Sequence, residues 1–171
     1  MSHKQRGFSL IEMVIYIALI VGILITATSF AWTIINSKTK ALVMQEVEQN
    51  GRLIVEKVAQ AAHGASAVSL PGTGVAGTAL ELEYQDASKD PVRFSFSGSS
   101  LTMSEGAGAA AKLHSDSVVI ADLQFVNVSS TDARTVNVFF TVTLEHVNPE
   151  NRQEWAYSNT FETTIELRDQ H

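Results

Sequence analysis

The distribution of apolar residues divides the chain into three stretches, and the first is an uninterrupted hydrophobic run. No charged residue lies between Glu12 and Lys38, and no proline interrupts this run. A helix rises about 1.5 Å per residue, so residues 8–35 are long enough to cross about 30 Å of hydrocarbon. We therefore predict a membrane-spanning helix here. The basic residues Lys4 and Arg6 before it predict a cytoplasmic amino terminus, with the carboxy-terminal bulk on the other side of the membrane.

The second stretch, residues 36–62, has the apolar period of a helix. Apolar and small residues recur at spacings of three and four, at Met44, Val47, Gly51, Ile54, Val58 and Ala61. This pattern predicts an amphipathic helix that continues from the first one to about Ala62. Glu48 and Arg52 are spaced to form an ion pair on its polar side. The apolar stripe has two possible destinations, a coiled-coil partner or the chain's own head, and we favour the head.

The third stretch, residues 63–171, is predicted to be an antiparallel β head. Residues 63–78 are small and glycine-rich and predict a loop, and residues 104–112 predict another. Apolar and polar residues otherwise alternate with a period of two, which is typical of strands with one buried face. The predicted strands centre on Leu80 to Tyr84, Val92 to Phe96, Leu101 to Met103, Val118 to Val128, Val136 to Leu144 and Glu154 to Leu167. The whole pattern predicts an α+β fold.

Composition narrows the class of protein further. The 171 residues are 45% hydrophobic and 18% charged, which fits one domain with an apolar appendage rather than a disordered chain. The absence of cysteine excludes disulfides and thiolate chemistry. Without Lys4, Arg6 and Glu12, the rest of the chain carries 10 basic and 17 acidic residues, a net charge of −7. This charge argues against nucleic acid as a partner.

The head offers little that resembles catalytic or metal-binding chemistry. Its histidines and the terminal ones have no metal-ligand spacing, so we expect surface histidines at His3, His63, His114, His146 and His171. Asp86 to Asp90 loosely resembles part of a calcium loop but lacks the other ligands, so we favour a solvated turn. The glycosylation tripeptide at Asn127 carries almost no weight. Trp155 and Tyr157 mark either a contact surface or sheet packing, and we favour packing. We predict no enzyme, no cofactor and no metal site.

Glu12 is the unusual residue of the apolar run. A carboxylate at the centre of a bilayer costs roughly 2.5–3.5 kcal/mol on the insertion scale, and less near the membrane edge. One interpretation is a boundary residue whose carboxylate reaches the interface. The other, which we favour, is a carboxylate that meets a cation inside the membrane.

An ordinary secretory signal peptide is the competing interpretation of this terminus. Ala27-Thr28-Ser29 offers an acceptable small-residue cleavage site after the apolar run. Two features argue against it. Signal-peptide cores do not tolerate a carboxylate such as Glu12, and apolar residues continue past the cleavage site through Ile35.

The sequence Gly7-Phe8-Ser9-Leu10-Ile11-Glu12, between a short basic leader and the apolar run, resembles the cleavage motif of type IV prepilins and pseudopilins. The resemblance implies that a prepilin peptidase removes residues 1–7 between Gly7 and Phe8, and that the new Phe8 amine is methylated. Glu12 then takes the position of the family's assembly glutamate. Many major pilins have a proline where this chain has Ser29, which favours a minor pilin or pseudopilin, with mild similarity to the J-type.

The resemblance also implies a function. We expect a structural subunit that is held in the cytoplasmic membrane, packs through residues 8–35 with other pilins, and presents its head outside the cytoplasm. A pilus, a type II secretion pseudopilus and a DNA-uptake pseudopilus remain open. The alternative is an uncleaved, single-pass membrane protein that displays a ligand-binding β domain.

Overall fold

A single α-helix joins the two predicted helical stretches. The structure, a computed structural model, describes residues 9–129 and 136–167. Helix α1 spans Leu10–Gly64 without a break, two residues beyond the predicted end. Gly22 lies inside it and does not interrupt it, because one glycine costs only about 1 kcal/mol in a helix interior. The predicted helix is thus confirmed over the described residues.

The described chain after α1 forms nine strands. They are β1 (Ala67–Leu70), β2 (Ala76–Gly77), β3 (Ala79–Glu83), β4 (Val92–Ser97), β5 (Ser100–Glu105), β6 (Ala111–Lys112), β7 (Val118–Asn127), β8 (Asn137–His146) and β9 (Ser158–Glu166). All pair antiparallel, in one sheet of order β1-β3-β4-β5-β6 and another of order β2-β7-β8-β9. The α+β class is confirmed. The division into two sheets is new, since strand alternation does not specify how strands are grouped.

The loop predictions are wrong in part. Residues 63–78 contain the end of α1 together with β1 and β2, and residues 104–112 contain the end of β5 and strand β6. β2 and β6 are two residues each, and all three short strands lie at sheet edges. A strand of two residues has no period to detect, so β2 and β6 were not visible in the sequence. The four residues of β1 are too few to stand out from the small residues around them.

Two of the long strands differ from their predictions in detail. Pairing of β7 with β8 shifts register between Ile120 and Asp122, which explains why the alternation of β7 is imperfect at that point. The predicted strand 154–167 starts late, because Gln153–Trp155 form a turn of 3₁₀ helix ahead of β9. The hairpin at Gly98-Ser99 is confirmed, with Ser97 opposite Ser100.

The apolar stripe of α1 forms part of the core of the head. Residues through Thr39 and residues from Lys40 onward form two separate compact units. In the second unit, the helix contributes Val47, Ile54, Val58 and Ala61 to one cluster with residues of both sheets. The interpretation that the stripe packs on the chain's own head is therefore confirmed.

Two details of that helix prediction are wrong. Met44 is 39% exposed, whereas Val43 is buried, because Val43 lies one full turn before Val47 on the same face. Glu48 forms no ion pair with Arg52 in the described structure. Its carboxylate instead accepts hydrogen bonds from the Tyr157 hydroxyl at 3.2 Å and from the Asn159 side-chain amide at 2.5 Å.

Candidate assembly segment

The unit that ends at Thr39 presents its apolar side chains outward. Every Leu, Ile and Val between Leu10 and Ile25 is exposed, as are Phe30 and Trp32. α1 is long and apolar enough at this end to cross a membrane. An apolar surface of this extent on a helix is typical of a segment whose natural surroundings are lipid or other protein chains.

Six hydroxyl groups in this segment are satisfied within the helix. Each donates a hydrogen bond of 2.8–3.1 Å to a backbone carbonyl three or four residues earlier, at Thr26, Thr28, Ser29, Thr33, Ser37 and Thr39. An unsatisfied hydroxyl would be costly in hydrocarbon, so these bonds make the polar residues compatible with a bilayer. Ser29 is one of them.

Glu12 lies in the first turn of α1 and is partly exposed. A carboxylate at this end of a helix interacts favourably with the helix dipole. The Tyr16 hydroxyl, one turn later, donates a hydrogen bond of 3.4 Å to Glu12 Oε1. In the sequence, Tyr16 is part of the apolar run, but its spacing of four residues from Glu12 already puts the two side chains on the same side of a helix. Gly7 and Phe8 lie outside the described residues.

His114 is not a surface residue, and that prediction is wrong. The side chain is 8% exposed, and its Nε2 accepts a hydrogen bond of 3.4 Å from the Leu101 amide. Nδ1 therefore carries the proton and donates to the Ser115 carbonyl at 2.9 Å. Burial lowers the pKa of His114 below its ordinary value. The ring links β5, through Leu101, to the segment between β6 and β7, through Ser115.

The other histidines and the pair Trp155 and Tyr157 differ from one another in how exposed they are. His63 is exposed, and His3 and His171 lie outside the described residues. His146 is mostly buried and contacts the edge of the Trp155 ring, with ring centres 6.0 Å apart. Tyr157 packs against the core, as the favoured interpretation of the aromatic pair predicted.

The other two sequence motifs are structural. The carboxylate of Asp86 accepts hydrogen bonds from the amide and hydroxyl of Ser88, so Asp86 to Asp90 is the turn we favoured. Asn127 is 4% exposed, and its side chain bonds to Pro71 and Ser129. A glycan could not be attached to an asparagine in this position without unfolding the end of β7.

The comparison with known families bears on the amino-terminal segment alone. Residues 2–29 match the family model described as the prokaryotic N-terminal methylation motif. No curated protein and no solved structure matches the chain.

The matched motif and the fold point to the same class of protein. A long amino-terminal helix followed by antiparallel sheets is a pilin-like α+β architecture. The match at residues 2–29 supports a type IV pilin-like protein, as the resemblance of residues 7–12 predicted. The motif and the long apolar helix also support anchoring in a membrane.

Proposed function

We propose that the protein is a minor pilin or pseudopilin, a structural subunit of a type IV pilus or of a type II secretion-like filament. A prepilin peptidase cleaves it between Gly7 and Phe8, and the new Phe8 amine is methylated. Residues 8–35 then pack with other pilins, while residues 36–62 hold the extracytoplasmic head, residues 63–171. The observation that supports this proposal is the match of residues 2–29 to the methylation motif, together with the single carboxylate, Glu12, in the otherwise uncharged stretch 8–35.

The role of Glu12 follows from its surroundings. Glu12 is the only charged side chain between Phe8 and Ser37, so no other side chain of residues 8–37 neutralises this carboxylate. A methylated amine at Phe8, of the same or a neighbouring subunit, provides a cation. Two charges about 4 Å apart attract by roughly 4 kcal/mol at an effective dielectric constant of 20. That energy sets one subunit in register against the next. The Tyr16 hydroxyl orients the carboxylate from the carboxy-terminal side.

The first experiment identifies the mature terminus. The full-length protein is expressed in a bacterial membrane together with a prepilin peptidase, and its amino-terminal peptide is analysed by mass spectrometry. We expect a chain that starts at Phe8 and is one methyl group heavier than the unmodified peptide. A terminus that still includes residues 1–7 would favour the uncleaved anchor, and a terminus at Phe30 would favour ordinary secretion.

The second experiment separates assembly from anchoring. We expect Glu12→Ala to insert into the membrane at least as readily as the unmodified protein, because an expensive carboxylate is removed. The variant should be absent from sheared filaments, as measured by immunoblotting of the sheared and membrane fractions. Glu145→Ala removes an exposed carboxylate of the head and should assemble normally. Normal assembly of Glu12→Ala would show that Glu12 has no role in registering subunits.

A further inference from the structure

Strand β9 is an open edge of the head. It ends the sheet order β2-β7-β8-β9, so no strand of the described chain lies beyond it. Its nine residues pair with β8 from Ser158 opposite Glu145 to Glu166 opposite Asn137, without a register shift. Natural edge strands are usually short, bulged or protected by lysine or proline, because an open edge recruits other strands. β9 is nine residues long, pairs without a bulge and has no lysine or proline, and its charged residues are Glu162 and Glu166.

The register shows which backbone groups face outward. The Tyr157 carbonyl accepts from the His146 amide, and the Leu167 amide donates to the Val136 carbonyl. Hydrogen-bonded and non-hydrogen-bonded pairs alternate along antiparallel strands, so the odd-numbered residues of β9 bond to β8. The even-numbered residues therefore direct their amides and carbonyls to the open edge.

One part of this edge is closed by the chain itself. The outward amide of Thr160 donates to the Asn159 side chain at 2.9 Å. The following even-numbered residues, Glu162, Thr164 and Glu166, have no neighbouring strand in the described structure. The open part of the edge is thus its carboxy-terminal half.

A groove lies beside this edge. It has a volume of about 470 Å³ and lies between α1, at Arg52, Val55 and Glu56, and residues 160–163 of β9. Val55 and Phe161 are partly buried and pack against the core, so the floor of the groove is apolar. An added strand would place alternate side chains into this groove and the others over the exposed face of β9.

The charges on the edge select the kind of strand. Glu162 and Glu166 are exposed on the outer face of β9. On α1, beside the groove, Arg52 is positively charged and Glu56 is negatively charged. A second copy of β9 paired about a two-fold axis at Glu162 would place that residue opposite itself. An axis at Thr164 would place Glu162 opposite Glu166. Like charges directly opposite are destabilising, so these two registers of self-pairing are disfavoured. An axis at Thr163 would put Glu162 opposite Thr164 and Glu166 opposite Thr160, which gives neither glutamate a cation, whereas a segment with Lys or Arg at these positions forms two favourable pairs.

We propose that the open half of β9 binds an extended segment of another protein as an added strand. Main-chain hydrogen bonds to Glu162, Thr164 and Glu166 supply affinity, and side chains supply specificity. The segment carries Lys or Arg opposite the two glutamates and an apolar residue over Val55 and Phe161. This inference rests on the geometry of the head and does not require the filament role proposed above.

A designed peptide tests the proposal. The probe is a fluorescent octapeptide of alternating lysine and valine, titrated against full-length protein in neutral detergent micelles, with empty micelles as the blank. We expect saturable binding, with new protection of the outward amides of Glu162, Thr164 and Glu166 in hydrogen exchange. The same peptide with every backbone nitrogen methylated keeps its side chains but cannot donate strand hydrogen bonds, and its methyl groups would clash with the edge, so it should not bind.

Variants locate the binding site. Glu162→Lys combined with Glu166→Lys should weaken binding by about tenfold or more, because two favourable cross-strand pairs become repulsive. Thr164→Pro removes an outward amide at a site where an edge strand tolerates proline, and should weaken binding roughly five- to tenfold. Glu145→Lys changes the charge of the same sheet on the neighbouring strand and should change binding by less than about twofold.

Three outcomes would overturn the proposal: no saturable binding of the unmethylated peptide, equal binding of the methylated peptide, or an equal loss in Glu145→Lys. Circular dichroism confirms that each variant is folded before titration. Because the assay contains neither peptidase nor filament, its failure would leave the assignment of Gly7, Phe8 and Glu12 intact, and an unprocessed terminus would leave the strand site intact.

Discussion

Gly51 lies where α1 comes closest to β9. A Cβ built on this residue would overlap the ring of Phe161. Alanine normally stabilises a helix interior by about 1 kcal/mol relative to glycine, so the sign of the effect depends on whether the ring can move. The ring is partly buried against the core, which restricts it.

We therefore expect Gly51→Ala to lower the free energy of unfolding by about 1–2 kcal/mol, since overpacking exceeds the helix gain. Denaturant unfolding followed by Trp155 fluorescence measures this change. The double variant Gly51→Ala, Phe161→Leu should recover most of the loss, because the smaller side chain leaves the ring's space to the new methyl group. A single variant more stable than the parent would show that the close approach has no energetic consequence.

His114 makes stability depend on pH. Its folded-state pKa is below that of the unfolded chain, so the unfolded state binds more protons between the two values. The stabilisation is fully present above the ordinary pKa of about 6.5 and is lost as the pH falls below it. We expect His114→Gln to flatten the decline in stability between neutral and mildly acidic pH, measured by thermal unfolding at several pH values. His63→Gln, at an exposed position, should retain the decline.

The contribution of the apolar stripe of α1 to the stability of the head can be measured by comparing two adjacent residues, one inside the stripe and one outside it. Ile54 is fully buried, whereas Leu53 is 45% exposed. We expect Ile54→Ala to cost about 2–4 kcal/mol of unfolding free energy, because it leaves a cavity in the core. Leu53→Ala should cost less than about 0.5 kcal/mol in the same denaturant titration. Equal costs would contradict the assignment of the buried face.

The elements that the sequence predicts well are those with a long, uniform period. The apolar run and the stripe through Val58 define α1 to within two residues, and alternation locates β4, β5, β7 and β8. Short edge strands and the burial of His114 depend on tertiary contacts that no local pattern encodes, whereas the bulge beside Asp122 is reflected in the sequence as imperfect alternation. In the amino-terminal segment, the sequence draws attention to Glu12 through its charge but does not reveal its hydrogen bond to Tyr16.

At the scale of the whole molecule, the two compact units predict where the chain can be divided. The unit from Lys40 onward contains the stripe of α1 together with both sheets. We expect a chain that begins at Lys40 to be soluble without detergent and to unfold cooperatively on heating, as followed by circular dichroism. A chain that begins at Gly64 lacks Val47, Ile54 and Val58 and should not fold. Cooperative unfolding of the shorter chain would show that the sheets form a sufficient core alone.

The hydroxyls of Thr26 to Thr39 have a consequence for contact between helices. Each hydroxyl donates to a backbone carbonyl that also accepts a main-chain N–H of α1, so rotating the hydroxyl away breaks no main-chain hydrogen bond. In a bilayer these six hydroxyls are satisfied when the helix is alone, and beside another helix each can donate its hydrogen bond to the neighbour instead. When the helix moves from lipid to contact with another helix, each hydroxyl therefore exchanges one hydrogen bond for an equivalent one, and no unsatisfied donor is left behind.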